Sequence, residues 1–366
     1  MKEEMLKFDL VEKENEIYGP VIKVMGIGGC GCNIIHDMVE SGISGAELIS
    51  VNTDLKSLNS RIAHEKIQIG KKLTKGLGSG SKPEVGEKAA EEDRQLLEEK
   101  LQGTDLLFIA AGLGGGTGSG AGPVIADIAR SMNILTVAVV ITPFKCEMEK
   151  SHKKLIVDES LKKITEKVNN VITISNDKVI EIGQNMRFSD AYKEANKVLL
   201  SFVNGLIGMV AKTGVQNIDF EDIKTTLWEK GKTFIGIGRA GGTDRAQKAL
   251  IKALNNPFIG EVEMAGAKHV LVNFTGDIIM KELSIVDEIR KLTGDKASIK
   301  YGVVDDITLG DEIEIVILVS GISEVQIIEV VKDMNDRFQK MDILAKQLVE
   351  SGYENVDTPS FERYPN

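Results

Sequence analysis

The stretch "GLGGGTGSGAGP", residues 112–123, contains seven glycines in twelve positions, and its one bulky side chain is Leu113. An apolar run of strand length, "TDLLFIAA", precedes it, and "VIADIARSMN", which is typical of a helix, follows it. A strand, a glycine loop and a helix in this order direct backbone N–H groups and a helix N-terminus at one point, which attracts phosphate. A tight turn made for packing needs fewer glycines, so the stretch predicts a phosphate-binding loop, with hydroxyl contacts from Thr117 and Ser119.

A second glycine loop, "GIGGCGCN" at residues 26–33, follows the first apolar strand and opens the first helix. It approximates the dinucleotide fingerprint, but no acidic residue clearly ends the second strand in the ribose-binding way, although Asp54 is near. The sequence therefore gives little support to a nicotinamide-dependent oxidoreductase, and it contains no G-x-x-x-x-G-K-[ST] stretch. Two glycine loops on neighbouring strands indicate one nucleotide that is held from both sides.

The rest of the first half alternates short apolar strands with helices. Strands without polar alternation, separated by helices, predict a doubly wound, mostly parallel sheet covered on both faces, with ligands at the carboxyl ends of its strands. The pattern predicts one long helix over residues 82–103. The expected strands are "VIKVMGI", "AELISVNTD", "TDLLFIAAG", "ILTVAVVITP" and "VNNVITISND".

A long helical segment, residues 189–213, has apolar positions on more than one face and is expected to lie between two bodies. Beyond it the strands "TFIGIG", "HVLVNFTG", "ASIKYGVV" and "EIEIVILVSG" predict a smaller α+β domain. We therefore expect an N-terminal arm (1–20), a nucleotide-binding domain (21–188), the central helix (189–213) and a second domain (214–321). A helical tail (322–352) and a terminal peptide (353–366) follow.

The tail carries apolar residues spaced alternately four and three, which is an a/d heptad seam. Such a helix either packs on its own second domain or pairs with another copy as a coiled coil. The seam consists of Ile327, Val331, Met334, Phe338, Met341, Ala345 and Leu348.

Composition narrows the class of protein. The chain has 366 residues, is 42% hydrophobic and 27% charged, and has a net charge of −10, which argues against general binding of nucleic acid or anionic lipid. Its longest apolar runs are far shorter than the roughly 20 residues of a membrane span, and its charged N-terminus lacks a signal-peptide core. Three cysteines do not suggest a disulfide framework, so we expect a cytoplasmic protein without direct membrane insertion.

"GGGTGSG" resembles the signature of the tubulin and FtsZ superfamily. The similarity to the bacterial FtsZ branch runs from about Val21 to Gly321 and includes "VNTD", "TKGLGSGSKPEVG", "ISND", "NIDFEDI" and "GAKHVLVNFTG". The resemblance implies a tubulin-like fold and a GTPase that polymerises head to tail into filaments at the division site during bacterial cytokinesis. The alternative is a divergent filament protein with a role other than division.

The resemblance also implies which residues bind GTP or GDP. Tyr192 would stack on the guanine, and Asn196 would hydrogen-bond its edge. The loop residues that it assigns to the nucleotide are Gly28, Gly29, Cys30, Gly31, Cys32, Asn33, Asn52, Thr53, Gly112, Gly114, Gly115, Gly116, Thr117 and Gly118.

The family's Glu-x-x-x-Arg pair, which contacts ribose and phosphate, has no clean equivalent. Counting from "PF" pairs Glu147 with Ser151, which loses the cation. Allowing two extra loop residues pairs Glu149 with Lys153, which keeps it and is our preferred assignment, although lysine lacks the bidentate fork of arginine.

The segment "GVQNIDFED", residues 214–222, contains two aspartates three apart, which by spacing alone predicts a helix cap and a dipole partner. The resemblance implies instead that this loop enters the nucleotide pocket of the next subunit, where Asn217, Asp219 and Asp222 polarise or position the attacking water. Mg²⁺ would be bound mostly by phosphates and water, without a protein metal site.

Two further features depend on the resemblance. "DTPSFER", Asp357 to Arg363, is similar to the family's terminal peptide, which binds membrane-tethering division proteins. Cys30 and Cys32 replace glycines that are usual in the family. They are either small packing residues or a redox-sensitive pair, and the strained geometry of a disulfide between residues two apart favours packing.

Overall fold

The computed structural model describes residues 19–148, 152–177, 187–211, 214–229, 232–255 and 264–322. The N-terminal arm, Glu149, the heptad tail and the terminal peptide lie outside these residues, apart from the last residues of the arm. The domain boundaries drawn from the sequence stay predictions. None of the helices in the described part of the chain is long and apolar enough to cross a bilayer.

The first sheet has six parallel strands in the order β3-β2-β1-β4-β5-β6. Its four inner strands are buried on both faces because helices cover each side, which confirms the doubly wound architecture. The strands are β1 (Ile22–Ile27), β2 (Glu47–Asn52), β3 (Glu65–Gln68), β4 (Leu106–Gly112), β5 (Leu135–Thr142) and β6 (Asn170–Ser175). Strand β3 was not expected from the sequence, because its four residues, "EKIQ", are mostly polar.

The helices of this body lie between its strands in the sequence, and the first and the sixth of them begin at the glycine loops. They are α1 (Gly28–Glu40), α2 (Leu55–Asn59), α3 (Lys71–Thr74), α4 (Pro83–Glu92), α5 (Arg94–Leu101), α6 (Thr117–Ser131), α7 (Lys145–Met148) and α8 (Lys153–Thr165).

The single helix expected over residues 82–103 is wrong, because the chain breaks at Asp93 into α4 and α5. Asp93 has φ −110° and ψ 23°, and its carboxylate accepts the N–H of Gly70 at 2.7 Å. Gly70 comes shortly after β3, so the break depends on a tertiary contact that helix periodicity does not report.

The second sheet has four strands in the order β7-β10-β8-β9 and is mixed, with β8 and β9 parallel and the other pairs antiparallel. The strands are β7 (Lys232–Ala240), β8 (His269–Thr275), β9 (Ser298–Val304) and β10 (Ile313–Ile322). The helices of this half are α10 (Phe220–Trp228), α11 (Arg245–Leu254) and α12 (Ile285–Thr293).

The central helix, α9 (Phe188–Ala211), packs between the two sheets, as its apolar pattern predicted. Phe202 and Leu206 are each 1% exposed and belong to one apolar cluster with Val137 of the first sheet and Leu318 of the second. The close approach of α9 to the second sheet explains Gly205, where a Cβ would lie 2.9 Å from the side chain of Ile237. The core thus joins both halves through one helix.

Candidate active site

An open cavity of about 510 Å³ lies at the carboxyl ends of β1, β4 and β5. Open parallel sheets bind ligands at this edge, outside the ends of their strands. The first glycine loop contributes residues 27–30, the second contributes residues 112, 113 and 115–118, and a third segment contributes residues 77–81. Eight of the residues that line it are glycines, so bare backbone forms much of its wall.

Two helices start in this cavity, α1 at Gly28 and α6 at Thr117. Neither N-cap, Ile27 or Gly116, makes a side-chain capping bond. The first N–H groups of a helix have no partner inside the helix, and the macrodipole adds a partial positive charge there. Both helix N-termini therefore present donors to an anion in the same cavity.

The glycines of the two loops serve two different purposes. A Cβ on Gly118 would lie 2.4 Å from the carbonyl oxygen of Gly112, and a Cβ on Gly116 would lie 2.2 Å from Oγ of Ser79. Those positions need glycine because the chain packs against itself. At Gly29 and Gly115 a Cβ would meet nothing within 4 Å, and both residues line the cavity. Their bare backbone leaves room for a ligand.

Three hydroxyl groups meet on the wall of the cavity. Oγ1 of Thr53 lies 2.7 Å from Oγ1 of Thr117, which lies 3.1 Å from Oγ of Ser79. All three residues are buried and line the cavity. They join the end of β2, the third segment and the start of α6. Two of their three hydroxyl protons form these bonds, which leaves one to donate to a phosphate oxygen.

The segment 214–222 lies away from this cavity, at the second sheet. Gln216 pairs with Val303 of β9 through two backbone hydrogen bonds of 3.2 and 2.8 Å, and the buried Ile218 anchors the loop in the core. Asn217 and Asp219 are exposed and Asp222 is half-buried. None of these three is among the residues that line the cavity, whereas Asn217 and Asp222 border a smaller hollow of about 230 Å³.

Two family models match the chain: "Tubulin/FtsZ family, GTPase domain" over residues 21–184 and "FtsZ family, C-terminal domain" over residues 231–323. A cell division protein FtsZ from Pseudomonas putida is 41% identical over 319 residues, which cover 86% of this chain and 79% of that protein. The chain belongs to the tubulin/FtsZ family.

Further relatives agree with this membership. The cell division protein FtsZ of Buchnera aphidicola subsp. Schizaphis graminum is 39% identical over 319 residues, 86% of this chain and 82% of that protein. An empty FtsZ dimer from M. jannaschii has a TM-score of 0.75 at 36% identity, over 82% of this chain and 88% of that one.

The predicted fold and family are confirmed, and so are GTPase activity and guanine-nucleotide binding. This FtsZ-family chain is a filament-forming GTPase of cell division, and the alternative of a filament protein outside division is not favoured.

Ten of the residues that the resemblance assigned to the nucleotide line the cavity. They are Gly28, Gly29, Cys30, Asn52, Thr53, Gly112, Gly115, Gly116, Thr117 and Gly118.

Four others from the same FtsZ-type loops do not line it. A Cβ on Gly31 would lie 2.5 Å from the carbonyl oxygen of Ala110, so this glycine lets α1 pack on β4. Asn33 is exposed and accepts a hydrogen bond from Arg61 at 2.7 Å. Cys32 is fully buried, and Gly114 has a φ of 87°.

The two cysteines of the first loop are poor nucleophiles. Burial raises the pKa of Cys30 to about 12, and the neighbouring Cys32 adds to that rise. Burial likewise raises the pKa of Cys32 to about 11. Thiol reactivity requires the thiolate, so these values agree with a packing role. Cys30 is half-buried against Gly112, where a Cβ would lie 3.0 Å from its sulfur.

The charged pair after "PF" forms differently from either alternative. Lys153 donates to the carboxylate of Glu147 at 2.5 Å. Glu149 and Ser151 lie outside the described residues, so both assignments stay predictions. On α9 the side chain of Tyr192 is likewise outside the described part, and Asn196 donates to Asp37 of α1 at 2.7 Å.

Sequence reasoning missed the third segment, Leu77 to Ser81, which lines the cavity beside the FtsZ signature loop. The signal was present in "TKGLGSGSKPEVG", whose glycines at positions 76, 78 and 80 all have positive φ. Asn176, after β6, also lines the cavity and was not assigned a role.

Proposed function

We propose that this chain hydrolyses GTP in a filament, at a site that two copies build together. One copy holds the nucleotide in the glycine-lined cavity, and the next copy contributes Asn217, Asp219 and Asp222. The single observation that carries this proposal is the separation of the two groups within one chain. The residues around the cavity include the phosphate donors but not the predicted catalytic side chains.

In this proposal one chain supplies the phosphate-binding part of the nucleotide site by itself. Two helix N-termini and the cluster of buried hydroxyl groups suit a polyphosphate, because both offer hydrogen-bond donors to its oxygens. Among the residues lining the cavity, Asp54 carries a carboxylate, and its Oδ1 already accepts the N–H of Ser57 at 2.8 Å as the N-cap of α2. The cavity supports binding better than it supports activation of water.

The residues proposed for the second half of the site lie beside the second sheet. Asn217 Oδ1 accepts the N–H of Gly214 at 2.6 Å, which fixes the turn of the loop. Asp219 is the N-cap of α10, but its side chain makes no capping bond, so capping does not account for it. Exposed polar groups in a hydrogen-bonded loop can position a water once a neighbour's phosphates arrive.

The oxygen atoms in the nucleotide half of the site suit Mg²⁺. The hydroxyls of Thr53, Ser79 and Thr117 and the carboxylate of Asp54 are the hard ligands that this ion prefers, although it keeps most of its bonds to phosphates and water. Within the described residues, one group of three potential metal ligands lies together, His36, Asp37 and Glu40, and it does not line the cavity. When bound, Mg²⁺ would neutralise phosphate charge.

The test is GTP turnover per chain measured over a range of protein concentrations. We expect turnover of the unmodified chain to rise steeply once filaments form. Asp222→Ala should bind GTP and assemble, with turnover lowered at least about a hundredfold, because a positioned acid–base group contributes roughly that much. Glu221→Ala is the matched control, since it removes the adjacent carboxylate, which pairs with Lys224 at 3.2 Å.

Two results would contradict the split site. One is a dilute, unassembled preparation that hydrolyses GTP at the full rate. The other is an Asp222→Ala chain that turns over GTP as fast as the Glu221→Ala control.

The terminal peptide, Asp357 to Arg363, supports a further proposal about location. Its similarity to the family's tether-binding peptide suggests that it brings filaments to membrane-tethering proteins at the division site. Removing residues 353–366 should leave GTP turnover unchanged and disperse a fluorescent fusion through the cell. A truncated chain that still concentrates at the division site would refute this role.

A further inference from the structure

Lys300 ends a row of side chains that crosses the second sheet. Ile235 of β7 pairs with Leu318 of β10, which pairs with Leu271 of β8, which pairs with Lys300 of the edge strand β9. Directly paired residues share a face of the sheet. The three apolar members are at most 2% exposed and pack with Ile223 of α10. The row therefore runs under α10 and emerges at Lys300.

The ammonium group of Lys300 meets the carboxylate of Asp222, in the first turn of α10. Its Nζ donates to Oδ1 of Asp222 at 2.5 Å, across 78 positions of the sequence. The side chains are 54% and 22% exposed, so the pair lies at the surface with the carboxylate more sheltered. Both residues border the 230 Å³ hollow together with Asn217. The lysine thus belongs to the same small surface as two of the predicted catalytic residues.

Stability does not account for this ion pair. Exposed pairs of this kind contribute little to folding, because water screens them and two long side chains lose freedom. The neighbouring Glu221 has its own cation, Lys224. Asp222 therefore has a separate charged partner from the adjacent sheet, and the position of that partner is set by the register of β9.

A carboxylate that must approach a triphosphate faces strong repulsion, because both groups are negative and water is excluded as two copies meet. We propose that Lys300 is a positioning residue for GTP hydrolysis, which orients Asp222 and offsets its charge as it meets the neighbour's nucleotide. This inference rests on the proposed function, since it requires Asp222 to act across a junction between copies. Lys300 need not touch the nucleotide itself.

The experiment compares Lys300→Met, Lys300→Arg and Lys296→Met in the full chain. Lys296 is exposed just before β9, so its substitution removes the same charge nearby. The measurements are GTP turnover per polymerised chain at saturating GTP, GTP affinity of the unassembled chain, and melting temperature. Lys300→Met should lower turnover roughly tenfold, which is the loss expected when a charged hydrogen bond no longer positions a reacting group.

The same comparison separates positioning from a structural role. Lys300→Arg should recover turnover to within about threefold, because arginine restores the charge and the donor. GTP affinity should be unchanged in all three variants, because the cavity is elsewhere. Melting temperatures should agree within roughly 3 °C. If Lys300→Met does not assemble alone, a small amount of it is mixed into Asp222→Ala filaments, and the GTP turnover that it adds is measured. The control adds the same amount of unmodified chain to the same filaments. We expect the same tenfold difference in turnover.

Three outcomes would overturn the inference. The first is full turnover by polymerised Lys300→Met, and the second is an Lys300→Arg chain as slow as Lys300→Met. The third is assembly of Lys300→Met without GTP. That result would mean that Lys300 acts by keeping the edge strand β9 from pairing with other chains, as lysines on edge strands do. Normal turnover by Asp222→Ala would refute the proposed function as well. An inactive Asp222→Ala beside a fully active Lys300→Met would refute this inference alone.

Discussion

Two adjacent glycines in the signature loop should respond in opposite ways to the same substitution. Gly115 and Gly116 both line the cavity, but a Cβ on Gly115 would meet nothing within 4 Å. A Cβ on Gly116 would lie 2.2 Å from Oγ of Ser79 and 2.7 Å from the backbone nitrogen of Lys82. We therefore expect Gly115→Ala to impair nucleotide binding and Gly116→Ala to impair folding.

The magnitudes follow from these contacts. Gly115 has no positive φ, so its backbone conformation accepts alanine. The substitution should raise the free energy of unfolding by between zero and about 1 kcal/mol. Its methyl group projects into the cavity, where one charged hydrogen bond to phosphate, worth about 1.5–3 kcal/mol, would be lost. GTP affinity should therefore fall roughly tenfold to a hundredfold. Overpacking at Gly116 should destabilise the chain by about 1–3 kcal/mol.

The assay combines urea unfolding, followed by circular dichroism, with calorimetric binding of a slowly hydrolysed GTP analogue below the assembly threshold. Gly29→Ala is a second test of the same reasoning, since a Cβ there also meets nothing and the residue lines the cavity. The reasoning is refuted if Gly115→Ala binds nucleotide as tightly as the unmodified chain, or if it loses as much stability as Gly116→Ala.

The remaining predictions concern the junction between copies and the thiols. Gly115→Ala keeps Asp222, and Asp222→Ala keeps its cavity, so we expect a mixture to turn over more GTP than the two variants measured separately, at a GTP concentration that saturates Asp222→Ala but not Gly115→Ala. A mixture no more active than its parts would argue for a site within one chain. Iodoacetamide at pH 8 should label the exposed Cys146 and spare Cys30 and Cys32, because pKa values of about 12 and about 11 leave these two almost no thiolate. Mass spectrometry that finds three labelled thiols in the folded chain would contradict this prediction. Because these two folded-state pKa values lie above the ordinary value of 9.0, the protonated thiols stabilise the folded chain fully below pH 9, and urea midpoints should fall as the pH rises from 9 towards 12.

The sequence by itself determined the class of fold and the chemistry of the ligand. Apolar strands without polar alternation predict a parallel sheet covered on both faces, because each such strand must be buried twice. A strand, a glycine loop and a helix predict a phosphate site, because local backbone geometry alone aims the N–H groups. The resemblance carried by "GGGTGSG" extended this to guanine nucleotide and to filaments.

Only the tertiary structure decided which residues serve packing and which serve the ligand. Gly115 and Gly116 are neighbours of the same type, and their difference depends on Ser79, which another part of the chain places against one of them. The break at Asp93 and the ion pair between Lys300 and Asp222 have the same origin. Local pattern reports the preferences of neighbouring residues, whereas these features arise from contacts between residues that are far apart in sequence and meet when the sheets and helices pack.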